Sequence, residues 1–196
     1  AFELFEAKNI PTPKTYLLTP ELIENIDLNG SYIAKPSAGS CSVGLMLNPT
    51  KDDLFKAIDG GEPYILQEKL FGKEYTVNCF ISNEGKLVAA IPHYRYKVRA
   101  GEVSFGITER LAVLDDFAKQ IVEMNCGLAG PFCFQAIVDS SGSSGVIELN
   151  PRFGGGYPLA NQAGGRMARW ILEQSFSLDK SYESEWISGL RMMRYD

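Results

Sequence analysis

Glu148 and Asn150 stand two residues apart in Val146-Ile147-Glu148-Leu149-Asn150. The run alternates like a strand, so it turns a carboxylate and a carboxamide to one face. Both are hard oxygen ligands of the kind Mg²⁺ takes. Pro151 lacks a backbone N–H and ends regular pairing. Arg152 follows, with a fixed fork of donors that suits a phosphate, and Phe153-Gly154-Gly155-Gly156 then gives a flexible turn. Glu-x-Asn alone describes the solvated face of an edge strand better than a site. The whole string describes a corner where a metal ion and phosphate oxygens meet.

Such a corner needs a second strand to hold it. Phe132-Cys133-Phe134-Gln135-Ala136-Ile137-Val138-Asp139 reads as one, and the short turn Ser140 to Gly145 makes the two strands an antiparallel hairpin. Gln135 then lies near Glu148 and Asn150 if it shares their face. A second candidate for anion binding lies upstream. Ser31 to Pro36 reads as a strand ending in Lys35, and Ser37 to Gly44 is a loop of small residues whose N–H groups can approach an anion. The loop has neither the P-loop pattern nor a Rossmann fingerprint. By itself it is a hairpin tip; Lys35 beside it favours phosphate. The run His93-Tyr94-Arg95-Tyr96-Lys97-Val98-Arg99 alternates bases with tyrosines and a valine. Extended, it lines one face with Arg95, Lys97 and Arg99, as either a solvated edge strand or a cationic wall around an anionic substrate.

The remaining elements follow from caps, breakers and periodicity. Phe2, Leu4 and Phe5 read as uncapped helical turns, and the prolines of Asn9 to Tyr16 force an extended segment. Thr19 caps a short helix opened by Pro20. Helices are expected over Pro49–Ile58, Asp115–Asn125 and Tyr157–Leu172, and strands over Pro63–Leu70, Glu74–Ile81, Leu87–Pro92 and the tail from Gly189. This order is an α+β pattern rather than a repeated βαβ one. It gives a small unit with a glycine-rich hairpin, a hinge near Gln67 to Phe71, and a larger antiparallel sheet with helices.

Composition narrows the function. With 196 residues the chain can bury a sizeable core, and 45% hydrophobic with 22% charged residues is ordinary for a globular protein. A net charge of −5 gives no basic field for nucleic acid. No apolar run approaches a membrane span, and there is no signal-peptide pattern. The cysteines (41, 79, 126 and 133) show no C-x-x-C pairing and read as reduced thiols of a cytoplasmic protein. His93 is the only histidine, and no Ser sits in a G-x-S-x-G elbow, which disfavours a hydrolase triad.

Taken in order, I-P-T-P, Y-I-A-K-P before the glycine-rich loop, I-L-Q-E-K-L, G-K-E-Y-T-V, G-P-F-C-F-Q and V-I-E-L-N-P-R-F-G-G-G resemble the ATP-grasp superfamily over nearly the whole chain. Within it the chain looks most like the carbamoyl-phosphate synthetase large-chain group of carboxylate–amine ligases. The resemblance implies an ATP-grasp fold: two α+β subdomains, residues 1–70 as the lid and 71–196 as the larger subdomain, clamping a nucleotide between mainly antiparallel sheets. It implies that Lys35 contacts the nucleotide phosphates and that the loop with Ser37, Gly39 and Ser40 closes over them. Gln67, Glu68 and Leu70 would read adenine, and Glu74 would hold the ribose hydroxyls. Gln135, Glu148 and Asn150 would hold Mg²⁺ (or Mn²⁺), and Arg152 would stabilise charge on the transferred phosphoryl group. Arg99, Gly154 and Gly155 would lie on the substrate side.

Two departures from the family pattern stand out. Many members carry a carboxylate where this chain has Gln135, which leaves Glu148 the one anionic ligand of the set. A further phosphate-binding lysine and a preceding α/β domain would fall before residue 1, so the chain alone is expected to bind ATP weakly and to be inactive. The implied reaction is ADP-forming ligation of a small carboxylate, through an acyl-phosphate, to an amine or ammonia. No nucleic acid other than ATP and no membrane is involved, and a homo-oligomer is compatible with it. The alternatives are a non-catalytic ATP-binding module and a biotin-carboxylase-type enzyme that phosphorylates bicarbonate.

Overall fold

The computed structural model describes residues 2–38, 43–179, 181–182 and 185–195. Contacts divide the chain into two units, Pro13–Leu70 and Ala1–Thr12 with Phe71–Asp196. One break between the units falls between Leu70 and Phe71. The first twelve residues, expected in the small subdomain, belong instead with the larger unit. The reason is burial: Phe5 of helix α1 (Phe2–Ala7) and Ile10 sit in that unit's core.

The smaller unit carries β1 (Thr15–Leu17), α2 (Pro20–Asn25), β2 (Tyr32–Pro36), β3 (Met46–Leu47), α3 (Lys51–Asp59) and β4 (Tyr64–Glu68). Its antiparallel sheet runs in the order β1-β4-β2-β3. Thr19 caps α2 by accepting from Leu22 N at 3.2 Å, and Thr50 and Asp53 form a capping box on α3. These caps orient both helices over the sheet. Ile23 and Leu54 are thereby buried against Leu18, Ala34 and Leu66.

The larger unit continues with β5 (Lys73–Ile81), β6 (Leu87–Arg99), β7 (Glu102–Thr108), α4 (Ala112–Glu123), β8 (Gly130–Val138), β9 (Ser144–Asn150), α5 (Tyr157–Gln162), α6 (Met167–Ser175) and β10 (Arg191–Met193). Its antiparallel sheet has the order β10-β7-β6-β5-β8-β9. Strand alternation sends Tyr75, Val77, Cys79 and Ile81 of β5 and Phe132, Phe134 and Ala136 of β8 to one face. There they meet Leu114, Phe117, Ala118 and Ile121 of α4. One part of the other face, around Phe80, Ala89 and Ile91, packs on Ala160, Met167 and Trp170. Residues 11 and 12 lace the β9 edge: Val146 N donates to Pro11 O, and Thr12 Oγ1 to Val146 O, both at 2.8 Å.

Two local expectations change. The helix expected over 157–172 is two helices, because Gly164 takes φ +124, outside the helical region. The strands expected over 87–92 and 93–99 are one strand, in which Pro92 keeps its place opposite Val77. No helix among the described residues is long and apolar enough to cross a membrane.

Candidate functional site

In the larger unit the hairpin register sets Gln135 directly opposite Glu148 and Asn150 opposite Cys133. Asn150 Nδ2 donates to Glu148 Oε1 at 2.7 Å. On the other side, the Gln135 amide faces Glu148 Oε2 at 3.3 Å and Glu74 Oε1 at 3.2 Å. Turned one way, Gln135 donates its N–H groups to both carboxylates. Turned the other way, it adds a third oxygen to the same point. That donor set fits a hard divalent cation, which takes one or two protein carboxylates and fills its shell from amide carbonyls, water and phosphate. Among the described residues no group of three or more His, Cys, Asp or Glu is placed to hold a metal, so the amides are essential to this reading.

Behind the corner lies Arg95. Its Nε is 2.8 Å from Glu74 Oε1, its Nη1 donates to Thr76 Oγ1 at 3.3 Å, and its Nη2 to Gly101 O at 2.8 Å. The side chain is 8% exposed, so it braces the sheet face from within. This corrects the expected stripe of Arg95, Lys97 and Arg99. The register shifts twice between Arg95 and Val98, which breaks the alternation. Lys97 and Arg99 remain exposed. Glu74, to which the resemblance gives the ribose, has one carboxylate oxygen oriented by Arg95.

Past β9, Arg152 is exposed and donates from Nη1 to Phe153 O at 2.9 Å. The turn that follows lies close on the sheet. A side-chain carbon at 154 would stand 3.0 Å from Cys133 Sγ, one at 155 would overlap the Glu102 carboxylate, and one at 156 the His93 ring. The glycines therefore serve close approach as much as flexibility.

Under this turn is a pair that sequence reasoning missed. Asn78 Nδ2 and His93 Nδ1 are 3.2 Å apart; with the amide donating, His93 carries its proton on Nε2. Asn78 Oδ1 and His93 Nε2 are buried and, among the described residues, have no hydrogen-bond partner. Burial, with Arg95 adding to it, lowers the His93 pKa to about 3, so the ring is neutral. The available signal was alternation: Asn78 follows Glu74 and Thr76 on one face of β5. Burial pushes the Cys133 thiol up to about 11, which leaves it protonated.

In the smaller unit, Lys35 sits on β2 opposite Ile65 of β4. Ser37 N donates to Pro63 O at 2.8 Å, continuing the β2–β4 ladder past Pro36. Gly39 and Ser40 lie outside the described residues. Gln67 is fully buried, and its Nε2 donates to Thr15 Oγ1 at 2.8 Å. The N–H groups of Glu68 and Lys69 donate to the carbonyls of Lys14 and Ser31, each at 2.9 Å. Among the described residues the Leu70 N–H makes no hydrogen bond, so it is the donor this segment has left for a ligand.

The family described as "ATP-grasp in the biosynthetic pathway with Ter operon" matches residues 61–196, more than half of the chain. A curated relative, the 5-formaminoimidazole-4-carboxamide-1-(beta)-D-ribofuranosyl 5'-monophosphate synthetase of Pyrobaculum neutrophilum, is 26% identical over 172 residues. The match takes in 76% of this chain and 48% of the relative. The chain thus spans about half the length of the curated relatives it matches. Among solved structures, N5-carboxyaminoimidazole synthetase from Staphylococcus aureus complexed with ADP is similar with a TM-score of 0.74 at 17% identity, covering 95% of this chain and 52% of that one. The biotin carboxylase domain dimer of 2-oxoglutarate carboxylase from Hydrogenobacter thermophilus, with MgADP, ADP and bicarbonate, gives 0.74 at 16% identity, covering 95% and 46%. These structural likenesses establish the shared fold.

Proposed function

The chain belongs to the ATP-grasp family, and from that premise we propose that the complete protein is an ADP-forming ligase. It joins a carboxylate, activated as an acyl-phosphate, to an amine or ammonia. The observation that carries this reading is the Glu148 carboxylate, with the Asn150 amide at 2.7 Å on one oxygen and the Gln135 amide at 3.3 Å on the other. The cofactors are ATP and Mg²⁺, for which Mn²⁺ can substitute. Glu148, Gln135 and Asn150 would hold the ion, which neutralises phosphate charge when bound.

The other roles follow residue by residue. Lys35 and Arg152 bind phosphate oxygens, and the Ser37 loop lends backbone N–H groups. The Leu70 N–H meets an adenine acceptor, with Gln67 and Glu68 forming the rest of that hinge. Glu74, steadied by Arg95, accepts from the ribose hydroxyls. Arg99 and the Gly154–Gly155 turn serve the substrate. A substrate carboxylate oxygen attacks the γ-phosphorus, the bond to the β,γ-bridging oxygen breaks, and ADP leaves. The amine then attacks the acyl carbon and phosphate leaves. No protein nucleophile is needed, and the neutral Cys133 and His93 supply none. Catalysis is positioning and charge neutralisation.

Glu148→Ala in the complete protein tests the reading. Substrate-dependent ADP release is expected to disappear while the fold, read by circular dichroism, persists. Unchanged ADP release would overturn the assignment. Bicarbonate-dependent ATP hydrolysis without an amine acceptor would point instead to the biotin-carboxylase type, and nucleotide binding without turnover to a non-catalytic module.

A further inference from the structure

Asn78 and His93 spend one polar atom each on one another, which fixes what they have left. With Asn78 Nδ2 donating to His93 Nδ1 at 3.2 Å, Asn78 keeps an acceptor, Oδ1, and His93 keeps a donor, the N–H on Nε2. Both atoms are buried, and among the described residues the sheet around them supplies no partner. Ile91 and Cys133 flank Asn78, and Thr76 and Thr108 flank His93. The Thr108 hydroxyl is committed to Ile187 O at 2.8 Å and to Leu190 N at 2.9 Å. An unmet donor and acceptor inside a protein destabilise it, and two apolar side chains of similar shape would not.

What faces the two atoms is the glycine turn. A side-chain carbon at 156 would overlap Cε1 and Nε2 of the His93 ring, with Val103 Cγ1 3.1 Å away, and one at 154 would stand 3.5 Å from Asn78 Oδ1. A water oxygen needs about 2.9 Å from a ring nitrogen and has no room at a point where a carbon overlaps it. The turn carries groups of the matching kind. The carbonyls of Gly154 and Gly156 accept from Tyr157 N at 3.0 Å and Leu159 N at 3.1 Å. Among the described residues the N–H groups of 154–156 and the Gly155 carbonyl make no hydrogen bond. A buried acceptor thus lies under free donors, and a buried donor under a free acceptor. Three residues without side chains can rotate their peptide planes at little steric cost.

The turn is tethered at its head, where Arg152 Nη1 donates to Phe153 O at 2.9 Å. The function proposed above gives the same guanidinium a phosphate, and a charge-assisted bond to phosphate outcompetes one to a carbonyl. With Arg152 on phosphate, Phe153 O is released and the turn is free to move.

We propose that Asn78 and His93 are positioning residues that seat the glycine turn when the corner is loaded. Asn78 Oδ1 then accepts an N–H of Gly154 or Gly155, and His93 Nε2 donates to the Gly155 carbonyl. The trigger rests on the ligase reading above; the seat itself does not.

The test is NMR of the imidazole N–H groups in the complete protein, the His93 signals being those that vanish in His93→Gln. Mg²⁺ with a non-hydrolysable ATP analogue is expected to move the His93 Nε2 proton downfield, as a new hydrogen bond does. Its exchange with water should slow at least about tenfold. Arg152→Met, which cuts the tether, should move the signal the same way without nucleotide. Asn78→Leu combined with His93→Leu should keep a thermal midpoint at or above the parent's and lower kcat for substrate-dependent ADP release at least about tenfold. His93→Gln, which keeps a donor and an acceptor, should retain most of the turnover. Full turnover in the folded apolar pair overturns the proposal. The ring measurement is made on the unaltered protein, so it decides even where a variant misfolds. Bound nucleotide with an unmoved ring signal sinks the seat and spares the ligase. Where the nucleotide does not bind, the ligase reading falls and Arg152→Met decides the seat: a moved signal supports it, an unmoved one overturns it.

Discussion

Gln135 and Glu148 are direct cross-strand neighbours, and one amide group of Gln135 bridges the carboxylates of Glu148 and Glu74 at 3.3 and 3.2 Å. A neutral side chain thus separates two anions that would otherwise repel. It can do so in two orientations, donating to both or joining them as a third oxygen.

Gln135→Glu removes the donor and adds a charge. The variant is expected to lose about 1–3 kcal/mol of stability in chelator at neutral pH, the scale of like charges at this separation in a part-buried site. Saturating Mg²⁺ should restore most of the loss, and the variant should bind Mg²⁺ more tightly than the parent without nucleotide. Denaturant midpoints with and without Mg²⁺ measure both effects; a variant insensitive to Mg²⁺ would remove the corner from consideration as a metal site.

Arg95→Met tests the brace behind Glu74. It deletes the 2.8 Å ion pair and leaves the Gly101 carbonyl without its partner. Breaking a fully buried pair costs about 3–5 kcal/mol. Because Glu74 is 35% exposed, solvent compensates in part, and about 2–3 kcal/mol is expected here. Glu74→Gln, which keeps the shape and an acceptor, should cost less. Equal losses for the two variants in urea unfolding would contradict this account.

His93 makes stability depend on pH. Its folded-state pKa, about 3, lies below the ordinary 6.5. Between those values the unfolded chain binds a proton that the folded chain refuses, so stability falls as pH drops below 6.5. The slope contributed approaches about 1.4 kcal/mol per pH unit. Above 6.5 the ring is neutral in both states and contributes no slope. The measurement is the difference in unfolding free energy between the parent and His93→Gln across this range. A difference that does not change with pH would show that the ring titrates normally in the folded protein.

The glycines should separate by what surrounds them. Gly156→Ala drives a methyl group into the His93 ring and is expected to cost about 1–3 kcal/mol. Gly60→Ala, at the end of α3 with ordinary helical dihedrals and only a 3.4 Å neighbour, should be neutral or slightly stabilising. Thermal midpoints of the two variants check the ordering.

The hairpin carrying Gln135 and Glu148 was legible in the sequence because alternation of period two and a short turn leave one antiparallel solution. Thr19 was legible as a helix start for a similar reason, since the signal is local. What stayed hidden depends on packing across the chain. The three bases at 95, 97 and 99 were aligned by simple alternation, and two register shifts in β6 undid that. Asn78 and His93 lie fifteen residues apart, and neither has a neighbour that announces the other.

The lacing of residues 11 and 12 onto Val146 bears on the order of assembly. The Thr12–Val146 bond spans 134 positions, and the whole of Pro13–Leu70 is spliced into the larger unit between its ends. A chain made from its N-terminus therefore exposes Phe5 and Ile10 long before the strand that covers them exists. The inserted segment, which has a sheet and core of its own, can condense while those residues wait. Closure of the larger unit is a high-contact-order event that falls late in synthesis. During that interval Phe5 and Ile10 are apolar side chains open to a wrong partner.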